Sequence, residues 1–121
     1  MPIYFTESHE WVKVDGEIAT VGITNYAQKE LGEIVFIELP KQGRKARSGE
    51  EIAVLESTKA AADIYAPISG KITSVNIQLK EQPLLINENP EDEGWLFQME
   101  ISHPEELTHL LSVSQYQAMI S

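Results

Sequence analysis

Strand-like runs in this sequence are short, and a turn residue ends nearly every one. Trp11 to Val14 reads as a strand, Asp15-Gly16 as a turn, and Ile18 to Val21 as the returning strand, so the three make a hairpin. "EIVFIELP" is a second strong strand, ended by Pro40, and "KITSVNI" and "WLFQMEI" are two more. Between them "VLESTKAAADIY", Val54 to Tyr65, holds two strand-like runs that meet at Lys59. A chain cut this often, with too few long apolar faces for a helix bundle, predicts a mainly β sandwich or flattened barrel.

Helical signals are confined to short segments. Thr24 is a fit N-cap and Gly32 a fit stop for a short helix around Tyr26, Ala27 and Leu31. Near the end of the chain Pro104 suits a first helical position, with Glu105 and Glu106 at its positive end. Ser112 and Gln115 have capping-box spacing for a further helix. "KQGRKARSGEE" predicts a basic loop, and "EQPLLINENPEDEG" a loop around one extended piece. Gly32, Ile34, Ile37, Leu39 and Gly49 are matched at one constant offset by Gly70, Ile72, Val75, Ile77 and Asn87. This faint repeat would place Lys59 near a pseudo-symmetry axis, on a hairpin joining two like halves.

Charge and composition narrow the function. At 121 residues one domain, 1–121, is expected. The formal net charge of −10 opposes binding to nucleic acid. With no cysteine there is no disulfide, thiolate ligand or cysteine nucleophile. No apolar run is long enough to span a membrane, and the N-terminus lacks a signal-peptide pattern, so a bacterial cytoplasmic protein is expected. A mitochondrial protein whose transit peptide had been removed would read the same way. His9, His103 and His109 have no metal-ligand spacing, and no constellation argues for catalysis by the chain itself. The runs Glu50-Glu51, Glu91 to Glu93 and Glu105-Glu106 read as solvated charge.

Lys59 stands apart. Strand-like flanks place it at a protruding tip, and Ala60, Ala61 and Ala62 leave its surroundings open. Such a tip is what a modifying enzyme needs to reach an ε-amine, after which the four-carbon stem becomes the base of a swinging arm.

"ESTKAAADIYAPISGKI" resembles the attachment segment of biotinyl/lipoyl carrier domains. "SHEWVKVDGEIATVGITNYAQKELGEIVFIELP" and "LINENPEDEGWLFQMEIS" extend the resemblance over essentially the whole chain, to the glycine cleavage H-protein family. The resemblance implies a lipoyl-domain-like flattened barrel-sandwich hybrid with short helices and a helical C-terminal tail. It implies lipoate joined to Lys59 by an amide, with Glu56 and Gly70 at positions that guide the lipoylating enzyme. Ser8, Glu10 and Asp63 match positions against which the loaded arm docks. The partners implied are a pyridoxal-phosphate glycine decarboxylase, a tetrahydrofolate-dependent aminomethyltransferase, dihydrolipoamide dehydrogenase, and a lipoyl ligase or transferase. The chain itself would be a carrier, not an enzyme, and a monomer. Thr58 departs from the apolar residue usual before the lysine, and the "KQGRKARS" loop is unusually basic.

Other carriers fit less well. A biotin carrier would show methionines where Thr58 and Ala60 stand. The lipoyl domain of a 2-oxoacid dehydrogenase lacks the "SHEW" start and the helical tail. A lipoyl donor to other enzymes keeps the fold and changes the role, and a scaffold with an unmodified lysine would carry no added mass.

Overall fold

A computed structural model describes residues 2–121. The first hairpin forms as its residues predict. Strand β2 (Glu10–Asp15) pairs antiparallel with β3 (Ile18–Ile23) across the two-residue loop Gly16-Glu17. Positive φ falls on Gly16 and not on Glu17, as a type II′ turn requires, so Asp15 ends the strand rather than making the turn. Trp11 lies directly across from Gly22, where a side chain would collide with the indole. A short strand not anticipated from the sequence, β1 (Ile3–Phe5), pairs on the outer side of β2.

Helix α1 (Asn25–Leu31) follows β3, with Thr24 accepting from the Ala27 amide and Gly32 stopping it at φ +83°. Strand β4 (Ile34–Glu38) comes next. The loop after Pro40 contains one unanticipated two-residue strand, β5 (Lys45–Ala46). Strands β6 (Glu51–Ser57) and β7 (Ala61–Tyr65) form the lysine hairpin, and β8 (Gly70–Val75) follows. The last strand is β9 (Phe97–Ile101). Strand order is β1-β2-β3-β9-β8-β5 in one sheet and β4-β6-β7 in the other, with every pairing antiparallel. The main core is an apolar cluster that includes Val12, Val21, Ile23, Leu55, Ile72, Phe97 and Met99.

The segment expected as a loop with one extended piece is instead helical. It holds α3 (Leu85–Glu88) and the last residue of α2 (Gln78–Glu81), which begins in the unassigned stretch just before it, one turn each. Leu79 and Ile86 are fully buried and bring these turns into the main core. Turns this short have no helical stability of their own, so tertiary burial decides them, and no periodic pattern announces them.

The tail is helical as expected, though its first part is tighter. Pro104–His109 form a 3-10 turn, in which Leu107 packs on the core together with Leu110 just beyond it. Helix α4 (Val113–Ile120) carries the full Ser112–Gln115 capping box. Tyr116 on α4 stacks on Phe5 at 4.6 Å, and with Trp11 they make a second small core on the other face of β1 and β2.

Strands β4 and β8, matched in the faint repeat, fall in different sheets on either side of the lysine hairpin. The glycines before them are not equivalent. Gly32 caps a helix in the left-handed region, whereas Gly70 is an ordinary strand residue.

Candidate functional site

The tip between β6 and β7 is Thr58, Lys59 and Ala60, all exposed. No Asn-Gly turn is needed because Ser57 builds one. Its hydroxyl accepts from the amides of Lys59 and Ala60, both at 3.1 Å, and its own amide donates to the Ala60 carbonyl at 2.8 Å. The Thr58 amide donates to the Glu33 carbonyl at 3.0 Å, seating the tip on the α1–β4 junction. The Lys59 stem lies over Gly32, where an added Cβ would stand 3.2 Å from Lys59 Cε. None of these bonds uses the lysine side chain.

Asn87 on α3 holds that junction in turn. Its side chain accepts from Ile34 N at 2.8 Å and donates to the Gly32 carbonyl at 2.8 Å and to Gln28 Oε1 at 3.0 Å. The sequence marks this residue only as the match to Gly49 in the faint repeat and gives it no role, because the segment carrying it reads as a loop.

Cross-strand pairs fix what surrounds the tip. Glu56 is exposed and pairs with Phe36 on one side and Ala61 on the other. Asp63, also exposed, pairs with Val54. By alternation Ala61, Asp63 and Tyr65 share one face of β7 while Ile64 turns into the core. Gly70 lies in the other sheet, paired with Ala46 and Ile101. It makes no tight turn across from the lysine. A Cβ at this position would collide with the Glu100 carbonyl oxygen, so the constraint is close backbone approach.

A cleft of about 440 Å³ opens at the far end of β7, lined by Thr6, Ser8, Glu10, Tyr65, Glu106 and His109 among others. Glu10 is only 1% exposed. Its Oε1 accepts from the hydroxyls of Thr6 at 2.5 Å and Ser8 at 2.6 Å, and Oε2 accepts a long bond of 3.4 Å from Tyr65 N. Both lone pairs of Oε1 are engaged, which leaves Oε2 the oxygen with spare accepting capacity. The structure therefore brings Ser8 and Glu10 together. Asp63 stands apart from that pair, two residues back along the outer face of β7.

All three runs expected as solvated charge are partly tied down, Glu50 accepting from Arg47 N at 3.1 Å. Glu106 accepts from Ser69 N at 2.6 Å and Ser69 Oγ at 2.9 Å, anchoring the 3-10 turn beside the cleft. Glu91 accepts from Asn25 N at 2.9 Å and so caps the start of α1 from a distant loop.

Behind the cleft His9 occupies the left-handed region at φ +72°, the one non-glycine to do so among the described residues. Its Nδ1 is 2.8 Å from the Tyr116 hydroxyl, which is 2.6 Å from Thr24 Oγ1. Burial raises the Tyr116 pKa above the ordinary phenol value; the Thr24 bond opposes this and the charges of Glu91 and Glu10 add to it. The phenol therefore keeps its proton through neutral pH.

Residues 3–121 match the family model described as "Glycine cleavage H-protein". The glycine cleavage system H protein of Thermotoga maritima is 55% identical over 113 residues, 93% of this chain and 91% of the relative. That of Methylacidiphilum infernorum is 53% identical over 116 residues, 96% of this chain and 91% of the relative. The crystal structure of a glycine cleavage system H protein from Mycobacterium marinum superposes with a TM-score of 0.90 at 33% identity, covering 98% of this chain and 96% of that one. With its two antiparallel sheets, exposed lysine hairpin and helical tail, the chain belongs to the glycine cleavage H-protein family.

Proposed function

We propose that Lys59 is lipoylated and that the chain, as one domain over 1–121, is the carrier of a glycine cleavage system. It would accept an aminomethyl unit from a pyridoxal-phosphate glycine decarboxylase and deliver it to a tetrahydrofolate-dependent aminomethyltransferase. Electrons would pass on to dihydrolipoamide dehydrogenase. The observation that carries this reading is the tip itself: an exposed lysine between small residues, on a turn that needs nothing from its side chain. The residues fit the group, since acylating Lys59 would break no bond of the fold and would cancel one charge. When bound, lipoate supplies a dithiolane whose sulfurs can take up a one-carbon unit and two electrons.

The chain's own residues then have three tasks. Lys59 anchors and swings. Glu56, exposed on the strand that leads to the tip, offers a lipoyl ligase or transferase a carboxylate beside its target. Gly70 matches a recognition position by resemblance, and its structural surroundings tie it to the packing of β8 on β9. Along β7, Asp63 and Tyr65 stand two and four residues beyond Ala61, roughly 7 and 13 Å at strand rise. An arm folded back along this face would pass Asp63 before reaching Glu10. There Oε2 would hold a cationic amine cargo by a charge-assisted hydrogen bond, with Ser8 alongside. No helix among the described residues is long and apolar enough to cross a membrane, and the bacterial cytoplasm is the proposed place of work.

Incubation with a lipoate ligase should add one lipoyl group by intact mass, and Lys59→Arg should add none. Glycine–bicarbonate exchange with a glycine decarboxylase should then depend on the added group. Modification persisting in Lys59→Arg, or exchange equally fast without lipoate, would remove the reading.

A further inference from the structure

The return from β1 to β2 is short and has an unusual backbone. Thr6 N donates to the Glu10 carbonyl at 3.0 Å and His9 N to the Thr6 carbonyl at 3.2 Å, closing a loop whose last residue, His9, sits at φ +72°. A side chain resists this conformation unless local hydrogen bonds or packing hold it there. Both are present. The His9 ring lies 4.7 Å from Tyr26 and Nδ1 meets the Tyr116 hydroxyl, while the His9 carbonyl accepts from Thr24 N at 3.0 Å. Tyr116 is buried and belongs to the C-terminal helix, more than a hundred residues away in sequence. Thr24 accepts from Ala27 N, so the same chain of hydrogen bonds reaches the cap of α1.

We infer that His9 and Tyr116 are positioning residues: a latch between the C-terminal helix and the β1–β2 return that sets where Ser8 and Glu10 stand in the cleft. Neither lines the cleft. His9 lies between the two residues that do, and its reversed backbone leaves their side chains on one side, 2.6 Å apart. Packing alone does not explain the pair. Tyr116 stacks on Phe5 and meets the His9 ring edge-on at 5.7 Å, contacts that a phenylalanine would keep, whereas the hydrogen bonds to His9 and Thr24 need the hydroxyl. The consequence for the carrier, which rests on the docking reading above, is that the C-terminal helix governs how long a cationic cargo is held at Glu10.

The full-length protein tests this with four substitutions. Tyr116→Phe keeps the stack and removes the hydroxyl. His9→Ala removes the ring and leaves a poor residue for the left-handed region. His9→Asn tolerates that region and places a polar atom at the δ position, where Nδ1 was. Glu10→Gln reports on docking alone. Amide hydrogen exchange of residues 6–10 in the unlipoylated protein is the first readout. It should quicken about tenfold in Tyr116→Phe and His9→Ala, the change expected for losing a hydrogen bond of ordinary strength, and stay near the parent rate in His9→Asn. Exchange in the main core, as at Leu55 and Phe97, should quicken by no more than the fall in global stability that urea titration of the same variant gives. The second readout is the lifetime in buffer of the aminomethyl-loaded, lipoylated protein, which should shorten in the same two variants and recover in His9→Asn. Unchanged local exchange in both Tyr116→Phe and His9→Ala overturns the latch, as does His9→Asn behaving like His9→Ala. If Glu10→Gln leaves the lifetime unaltered while the exchange pattern appears, the docking reading fails and the latch on Ser8 and Glu10 stands.

Discussion

Gly70 and Glu56 are both proposed recognition positions, and the structure separates what each would lose. Gly70→Ala drives a Cβ onto the Glu100 carbonyl, an overpacking that costs about 1–3 kcal/mol. It should lower the denaturation midpoint, with any loss of lipoylation following from that. Glu56 is exposed and its side chain makes no hydrogen bond among the described residues, so Glu56→Ala should slow lipoylation at an unchanged midpoint; urea titrations beside ligase kinetics distinguish the two. Tyr116 gives a pH signature. Its pKa is raised in the fold chiefly by burial, so the folded chain keeps a proton that the unfolded chain begins to lose near pH 10. The corresponding stability is complete below about pH 10 and disappears as pH rises through the folded value. Urea midpoints taken at rising alkaline pH should fall more steeply for the parent than for Tyr116→Phe, and parallel curves would contradict the assignment.

At the level of elements, residues that act locally were the readable ones. Thr24 and Gly32 bound α1, Ser112 and Gln115 cap α4, and Gly16 turns the first hairpin because each works within a few residues of itself. Lys59 could be placed at a tip for the same reason. The α2 and α3 turns could not, since a pair of buried side chains, Leu79 and Ile86, decides them from across the core. The surroundings of Glu10 were half readable: Ser8 and Glu10 are neighbours in sequence, but Tyr65 reaches the site, and the Tyr116 hydroxyl reaches His9 beside it, only through the fold. Asn87 is the sharpest omission. Its three bonds join α3 to the end of α1 and the start of β4. Asn87→Ala would leave the Ile34 amide and Gly32 carbonyl without partners, at roughly 1–3 kcal/mol for each buried group left unsatisfied. Because the tip rests on Glu33, the same variant should speed amide exchange at Thr58, whose proton is bonded there. A stability loss with Thr58 exchange unchanged would show that the junction does not support the tip.

Over the whole molecule the charge is uneven. Lys41, Arg44, Lys45 and Arg47, four of the nine basic residues, lie in the loop before β6. Lys59 is at the other end of β6, and the segments meeting there bring Glu30, Glu33 and Glu56, all exposed. Lipoylation would remove the lysine charge and leave that end more acidic still. Partner enzymes that engage it should therefore present basic mouths, and their association should be steered by charge. Raising ionic strength from about 0.02 M to about 0.2 M should slow association with such a partner several-fold. The dissociation rate should change less. Stopped-flow association rates measure this, and a rate indifferent to salt would show that the acidic end is not the docking end.

The hydroxyl of Ser57 makes the hairpin turn independent of its most conspicuous residue, and this bears on supply and demand in the cell. If Lys59 carries lipoate as proposed, a tip complete without the cofactor folds before loading and keeps the same turn afterward, its surface differing by the arm and by one charge. On the proposed function, unloaded copies would then present partner enzymes with nearly the surface that loaded copies present whenever lipoate is scarce, and would compete for them as unproductive occupants. Flux through the system should then follow the fraction of the pool that is charged, and making more protein without more cofactor should lower it.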